Sequence, residues 1–315
     1  LQSTTPGALT LLISQHGAPQ PAQVSVQTFA AEARLERFTL HAGDAQGVIT
    51  GSRLDTVTRI EVGDIVFLPG ELSTQQASDR LRVFAQDAAA AAALVAGQQH
   101  TATALLHDGR RIRLPLVIAA SRPQLGVLGR DVSRAATSAL ALQADEMTPD
   151  DVLRFSVRGS ERFAREQTLE IATTDGRDSA TLSLASGTLR LENSKVAVAR
   201  FEPAKLLDAD VFGPLQVRSL LNGIAGDWQP LVHLVRLPLL RELRCPDTTA
   251  CVLSGSALFL IEAVSASASF EQAVVLPEGF IGSELTVPAP GPDGLLYVRL
   301  RDRPEVVRPL RLPAL

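Results

Sequence analysis

The sequence predicts an all-β protein of sandwich or barrel units with one or two short helices, and three observations carry that prediction. Apolar and polar residues alternate over stretches of about four to eight residues, the period of a half-buried strand. Asp, Asn, Gly and Ser interrupt those stretches at short intervals, as hairpin turns require. Residues 37–60 also align without a gap against residues 241–264, so a structural unit is used more than once.

Taken in chain order, "PGALTLLISQHGAPQPAQVSV" (6–26) reads as two strands around a polar turn. "GVITGSRLDTVTRIEVGD" (47–64) reads as a strand, a Gly-Ser bend and a second strand. "QDAAAAAALVAG" (86–97) is Ala-rich and ends at Gly97, the pattern of a short helix with a glycine C-cap. "TATALLHDGRRIRLPLVIAASRP" (101–123) is a hairpin around Asp108-Gly109. Further hairpins centre on Asp175-Gly176 (168–184) and Asn193-Ser194 (188–201). "EPAKLLD" (202–208) is a second short helix with Pro203 in its first turn. A hairpin at Asn222-Gly223 (213–238), turn punctuation at Asp293-Gly294 and a last strand, polar turn and strand in 294–313 complete the pattern. Asn and Gly are expected at these turns because tight hairpins need positive φ.

In the internal alignment Val48-Ile49-Thr50-Gly51-Ser52 falls on Val252-Leu253-Ser254-Gly255-Ser256, and Leu54, Val57 and Ile60 fall on Leu258, Ile261 and Val264. This order, an apolar residue before Gly-Ser-x-Leu and then a Val-rich strand, resembles the bacterial IPT/TIG branch of the immunoglobulin-like fold. "VLRFSVRGSERF" (152–163) keeps strand character without that order, so the unit around it is expected to be another immunoglobulin-like subtype. The resemblance implies tandem immunoglobulin-like β-sandwich modules of a bacterial secreted or surface protein. Such modules are spacers, adhesive units or companions of catalytic domains, and carry no catalytic residues. The expected division is a closing hairpin of an upstream unit (1–31), an immunoglobulin-like unit (32–122), a larger divergent unit (123–238) and a C-terminal unit (239–315). Pro123 and Pro238 fall at the junctions, where they should limit bending.

The chemistry in the sequence is sparse. The only two cysteines, Cys245 and Cys251, flank "PDTTA", and a hairpin there would set them opposite each other. A disulfide is the favoured state, with two buried free thiols as the alternative. Zinc is disfavoured, because the spacing is C-x5-C with no second pair and no nearby His. The five histidines, His16, His41, His100, His107 and His233, fall in no metal or hydrolase motif. His107-Asp108 reads as part of a turn rather than half of a triad, and Asp150 and Asp151 as turn residues rather than a calcium loop. The lone Trp228, after Gly226-Asp227, is either a sugar-stacking platform or a core residue. "ALFLIEAV" (257–264) is apolar on both alternating faces. Phe259 and Leu260 stand there in place of Asp55 and Thr56 of the first copy, and form either a partner surface or a face covered by a neighbouring unit.

A net charge of −4 and a pI of about 5.8 argue against a nucleic-acid partner. No apolar run approaches the roughly 18 residues that span a bilayer. Lys195 and Lys205 are the only lysines among many arginines, a composition of GC-rich bacterial genes. The expectation is therefore a non-catalytic structural and binding array, extracellular, cell-surface or periplasmic, with an unknown protein or cell-surface partner and no cofactor. The competing expectation is an accessory, carbohydrate-binding region of a larger secreted hydrolase, which would make a glycan the partner.

Overall fold

A computed structural model describes residues 7–14, 20–28, 33–75, 78–136 and 138–310. The fold is all-β: β-sandwiches of mainly antiparallel sheets with two short helices. The chain forms two compact units, Leu1–Arg122 and Pro123–Leu315.

In the first unit the strands Gly7–Ile13 and Ala22–Thr28 form a separate antiparallel hairpin. The seven strands from Arg34–Leu40 to Arg111–Val117 form one sheet around a core that includes Phe38, Ile49, Ile60, Phe67 and Val83. The long strand Ile65–Gln75 pairs with Val57–Val62 on one side and Ser78–Ala85 on the other, which joins the two layers. The sheet folds back far enough for Ala119 to accept from the Ala42 N–H at 3.0 Å and donate to the Leu40 carbonyl at 2.8 Å. The predicted helix is shorter than its Ala-rich run. It spans Ala88–Ala92, capped by Asp87, whose side chain accepts from the Ala90 N–H at 2.9 Å. Gly97 does not cap it. That residue adopts φ +84° in a later turn, and its N–H donates to the Ile118 carbonyl at 2.8 Å.

The second unit holds two pairs of sheets. The first pair sets Leu125–Ser133, Val152–Gly159, Val196–Phe201 and Leu189–Leu191 against a sheet built on Thr168–Thr173, Gly213–Leu221 and Gln229–Leu234. Leu153, Phe155, Phe201, Leu215 and Val217 lie in the core between them. The second pair sets Leu239–Arg244, Ala250–Ser256 and Glu284–Pro288 against Val274–Val275, Ile261–Ser265, Leu296–Leu300 and Arg303–Leu310. The second helix, Pro203–Leu206, has proline in its first turn. The Asn222-Gly223 turn takes positive φ at both residues, as a two-residue hairpin needs. Asn193 works differently: its side-chain oxygen accepts from the backbone N–H of Lys195 and Val196, an Asx turn without positive φ.

The aligned segments share one element order. Gln46–Ser52, a 3-10 turn at Leu54–Thr56 and Val57–Val62 correspond to Ala250–Ser256, a 3-10 turn at Leu258–Leu260 and Ile261–Ser265. Two details differ from the sequence expectation. The Gly-Ser pair ends the strand and does not make the bend. The chain turns one residue later, where Arg53 and Ala257 take left-handed φ of 57° and 55°. The glycine is needed because the facing strand bulges towards it: a Cβ on Gly51 would lie 2.0 Å from the Arg34 carbonyl oxygen, and one on Gly255 2.4 Å from that of Leu239. The preceding strand is also shifted by one residue from the ungapped alignment. Thr39 faces Val48 in the first copy and Arg244 faces Val252 in the second, so the second hairpin is one residue shorter.

Candidate binding surfaces and the ionic joint

Cys245 and Cys251 form a disulfide, with their Cα atoms 4.1 Å apart. Asp247 shapes the turn between them, accepting from the Thr249 and Ala250 N–H groups at 2.8 and 2.7 Å. Those bonds hold the Asp247 carboxyl below its usual range. The bridge extends the ladder past Arg244–Val252. The equivalent place in the first copy is occupied by the pair Leu40 and Gly47, in which Phe38 fills the space over the glycine. One position thus closes by a covalent clasp and the other by packing.

Phe259 and Leu260 part company. The residues form a 3-10 turn, not a strand, so Leu258 and Leu260 both enter the core while Phe259 between them stays outside. Leu260 is 5 % exposed and Phe259 49 %. The expected two-sided apolar surface of 257–264 is therefore corrected to Phe259 alone, because Ile261, Ala263 and Val264 are buried as well. Arg301 fixes this corner, donating to the carbonyls of Phe259, Leu276 and Pro277 at 2.9, 2.7 and 3.0 Å.

Trp228 is neither core nor a bare platform. It is half-buried on the outer face of its sheet, with the Arg218 guanidinium 4.2 Å from its ring centroid. Arg218 in turn pairs with Glu170 on the next strand at 2.6 Å, and Thr181 lies opposite Glu170. Indole, guanidinium, carboxylate and hydroxyl thus form one row across the sheet. The strand Gln229–Leu234, about 20 Å long, separates Trp228 from Arg236, which binds Asp302 beside the Phe259 corner. The two sequence-predicted surface aromatics therefore lie at opposite ends of this strand.

His41 bonds the Ala120 carbonyl at 2.7 Å. His107 lies in the Asp108-Gly109 turn, where Asp108 accepts from Arg110 at 2.8 Å. His16 lies outside the described residues. Among those residues, no group of three or more His, Cys, Asp or Glu side chains could hold a metal ion. No helix there is long and apolar enough to cross a membrane.

What sequence reasoning missed is a buried ionic cluster that joins the two sandwiches of the second unit. Arg308 and Glu146 are both 0 % exposed and hydrogen-bond directly. Arg303 reaches Glu146 at 3.2 Å, Asp145 at 3.0 Å and Glu305 at 3.1 Å. Arg134 holds the loop that delivers Glu146, donating to the Glu146 carbonyl at 2.7 Å and to Asp151 at 3.1 Å. The same loop inserts Leu140 into the core of the second sandwich, where it bridges to Leu310. The Arg303 hydrogen bond holds the Asp145 carboxyl below its usual range. Burial, with Arg303 nearby, pushes the His233 imidazole below its usual 6.5. Residues 145–151 hold four carboxylates, Asp145, Glu146, Asp150 and Asp151, with only Met147, Thr148 and Pro149 between, a cluster that could have marked the segment. Nothing local points to Arg303 and Arg308, the partners of Asp145 and Glu146, more than 150 residues away.

No protein-family model matches the chain, and no curated protein matches its sequence. Among solved structures it is similar to a Bacteroides ovatus mixed-linkage glucan utilization locus protein, SGBP-B, in complex with a mixed-linkage heptasaccharide: 13 % identity, 98 % of this chain and 85 % of that one, TM-score 0.24. It is also similar to the FN1–FN3 domains of chicken CNTN1, at 7 % identity, 89 % and 95 % coverage and TM-score 0.20. A third is the surface layer protein SbsC, domains 4–9, at 10 % identity and TM-score 0.22, where the match covers 96 % of this chain and 53 % of that structure. Likenesses of this size carry no argument about what the chain binds.

Proposed function

We propose that this chain is a non-catalytic array of immunoglobulin-like modules, of the IPT/TIG type, from a bacterial extracellular or cell-surface protein. Its work is to hold modules in a defined order and to present their faces to a partner. The observation that carries this reading is the joint between the sandwiches of the second unit. A fully buried Arg308–Glu146 pair and the inserted Leu140 make that joint a packed interface rather than a linker. A spacer needs such stiffness. The Cys245–Cys251 bridge supports an oxidising compartment.

A second reading, an accessory carbohydrate-binding region of a larger secreted hydrolase, is favoured by the Trp228 row, which combines a half-exposed indole with polar groups on one flat face. One experiment addresses both. The whole chain is incubated with immobilised cell-surface proteins and with polysaccharides, and binding and hydrolysis are measured side by side. Saturable binding without turnover supports the array. Glycan binding lost in Trp228→Ala selects the accessory region, and turnover by the purified chain overturns both.

A further inference from the structure

In the first unit, four strands present an outward face whose charge opposes that of the whole chain. Arg37 stands opposite Thr50, Thr50 opposite Arg80, and Arg80 opposite Ser73, so the four side chains form one row. Arg82 follows Arg80 by two residues and lies on the same face. All three arginines are exposed, and the flanking Leu81 and Val83 point into the core. Arg82 reaches Glu71 at 3.4 Å. Arg37 and Arg80 have no ion-pair partner among the described residues, while the chain as a whole carries −4. Beside the arginines, Phe84 is 46 % exposed. Its ring lies over Gly70, where a side chain's Cβ would meet the ring at 2.3 Å, so the glycine lets the aromatic lie against the sheet.

We propose that this face binds a linear polysaccharide carrying carboxylate or sulfate groups. Two strand spacings, about 10 Å, separate Arg37 from Arg80, and about 7 Å separates Arg80 from Arg82 along the strand. That grid suits charges repeated along a stiff sugar chain. Each guanidinium offers a fork to one anionic group. Thr50 and Ser73 supply hydroxyls between the cations, and Phe84 supplies a ring for the apolar face of a pyranose. An acidic peptide offers neither a pyranose face for the Phe84 ring nor a stiff repeat of charges to match the arginine grid. The proposal rests on the reading of the chain as a non-catalytic binding array and names the ligand of one of its faces.

The test is calorimetric titration of the whole chain with polygalacturonate, dextran sulfate, neutral dextran and polyglutamate, at low and high salt. Binding of one or both anionic polysaccharides is expected, weakening with salt, with dextran and polyglutamate inert. Arg37→Ala and Arg80→Ala should each weaken binding about tenfold, and Arg80→Lys should retain part of it. Arg177→Ala, an exposed arginine of the second unit, should change nothing. Equal binding of polyglutamate, or binding indifferent to Arg37→Ala and Arg80→Ala, overturns the site. Binding of dextran alone, lost in Trp228→Ala, overturns it while leaving a binding array intact. Cleavage of any polymer defeats the array reading itself.

Discussion

Replacing Glu146 by leucine should be among the most damaging single changes in the second unit. The carboxylate is fully buried against an equally buried Arg308. It also accepts from Arg303 at 3.2 Å and from the Gln143 N–H at 2.8 Å. Arg308 has one other acceptor, the Val306 carbonyl at 3.1 Å, and its Nε is already unpaired. Glu146→Leu therefore leaves a charged guanidinium in the interior with a single neutral partner, a situation that costs about 3–5 kcal/mol. For a folding unit of this size that corresponds to a fall of about 6–20 °C in Tm. The paired change Glu146→Leu with Arg308→Met removes both charges and should recover most of the loss, because a buried pair replaced by apolar side chains is about neutral. Trp228 is the only tryptophan and lies in the second unit, so its fluorescence follows that unit's unfolding separately from the first. A loss under about 1 kcal/mol in Glu146→Leu, or a double variant as unstable as the two single losses added, would refute the claim that this pair holds the joint.

Leu260→Ala should cost about 2–5 kcal/mol, since the side chain is 5 % exposed, whereas Phe259→Ala should stay within about 0.5 kcal/mol; urea titration of the two variants reads the difference. Reducing the Cys245–Cys251 bridge, or changing both cysteines to serine, should cost about 2 kcal/mol for so short a loop in the entropic account, and alkylation without reductant followed by mass spectrometry should find no free thiol. Gly51→Ala should destabilise the first unit, because its Cβ would strike the Arg34 carbonyl; hydrogen exchange along Arg34–Leu40 should rise. Acid should weaken the second unit in two stages. His233 titrates below its usual 6.5 in the fold, so the unfolded chain takes up that proton first and stability falls as pH drops through and below 6.5. Asp145 sits below its usual 3.8, so its contribution is present above 3.8 and is lost as pH falls through the lower folded value. Trp228 fluorescence melts from pH 8 to 3 check both, and a flat profile between pH 7 and 5 would count against the His233 stage.

Local chemistry explains what could be seen before any coordinates. The Asp247 turn brings two cysteines six residues apart within bonding range, so the clasp was legible from the sequence between them. The hairpins at Asp175-Gly176 and Asn222-Gly223 were legible for the same reason. Leu260 was not, because one left-handed residue, Ala257, converts the expected strand into a 3-10 turn and changes which side chains face inward. Trp228 stood out as the lone tryptophan, yet its partner Arg218 is set by the register between two strands.

By itself the sequence determined an all-β chain, its Asp-Gly and Asn-Gly hairpin turns, the recurring strand–turn–strand segment and the position of a disulfide. Each of these depends on residues close together in the chain, where alternation and turn chemistry act directly. The tertiary structure decided which strands are neighbours, and with them everything that needs a distant partner. Arg37 meets Arg80 only across Thr50, and Glu146 meets Arg308 only because a loop of one sandwich enters the next. The energy of a buried charge or a cross-strand row depends on what lies beside it in space, and that is fixed by sheet order and loop closure, which no local pattern encodes.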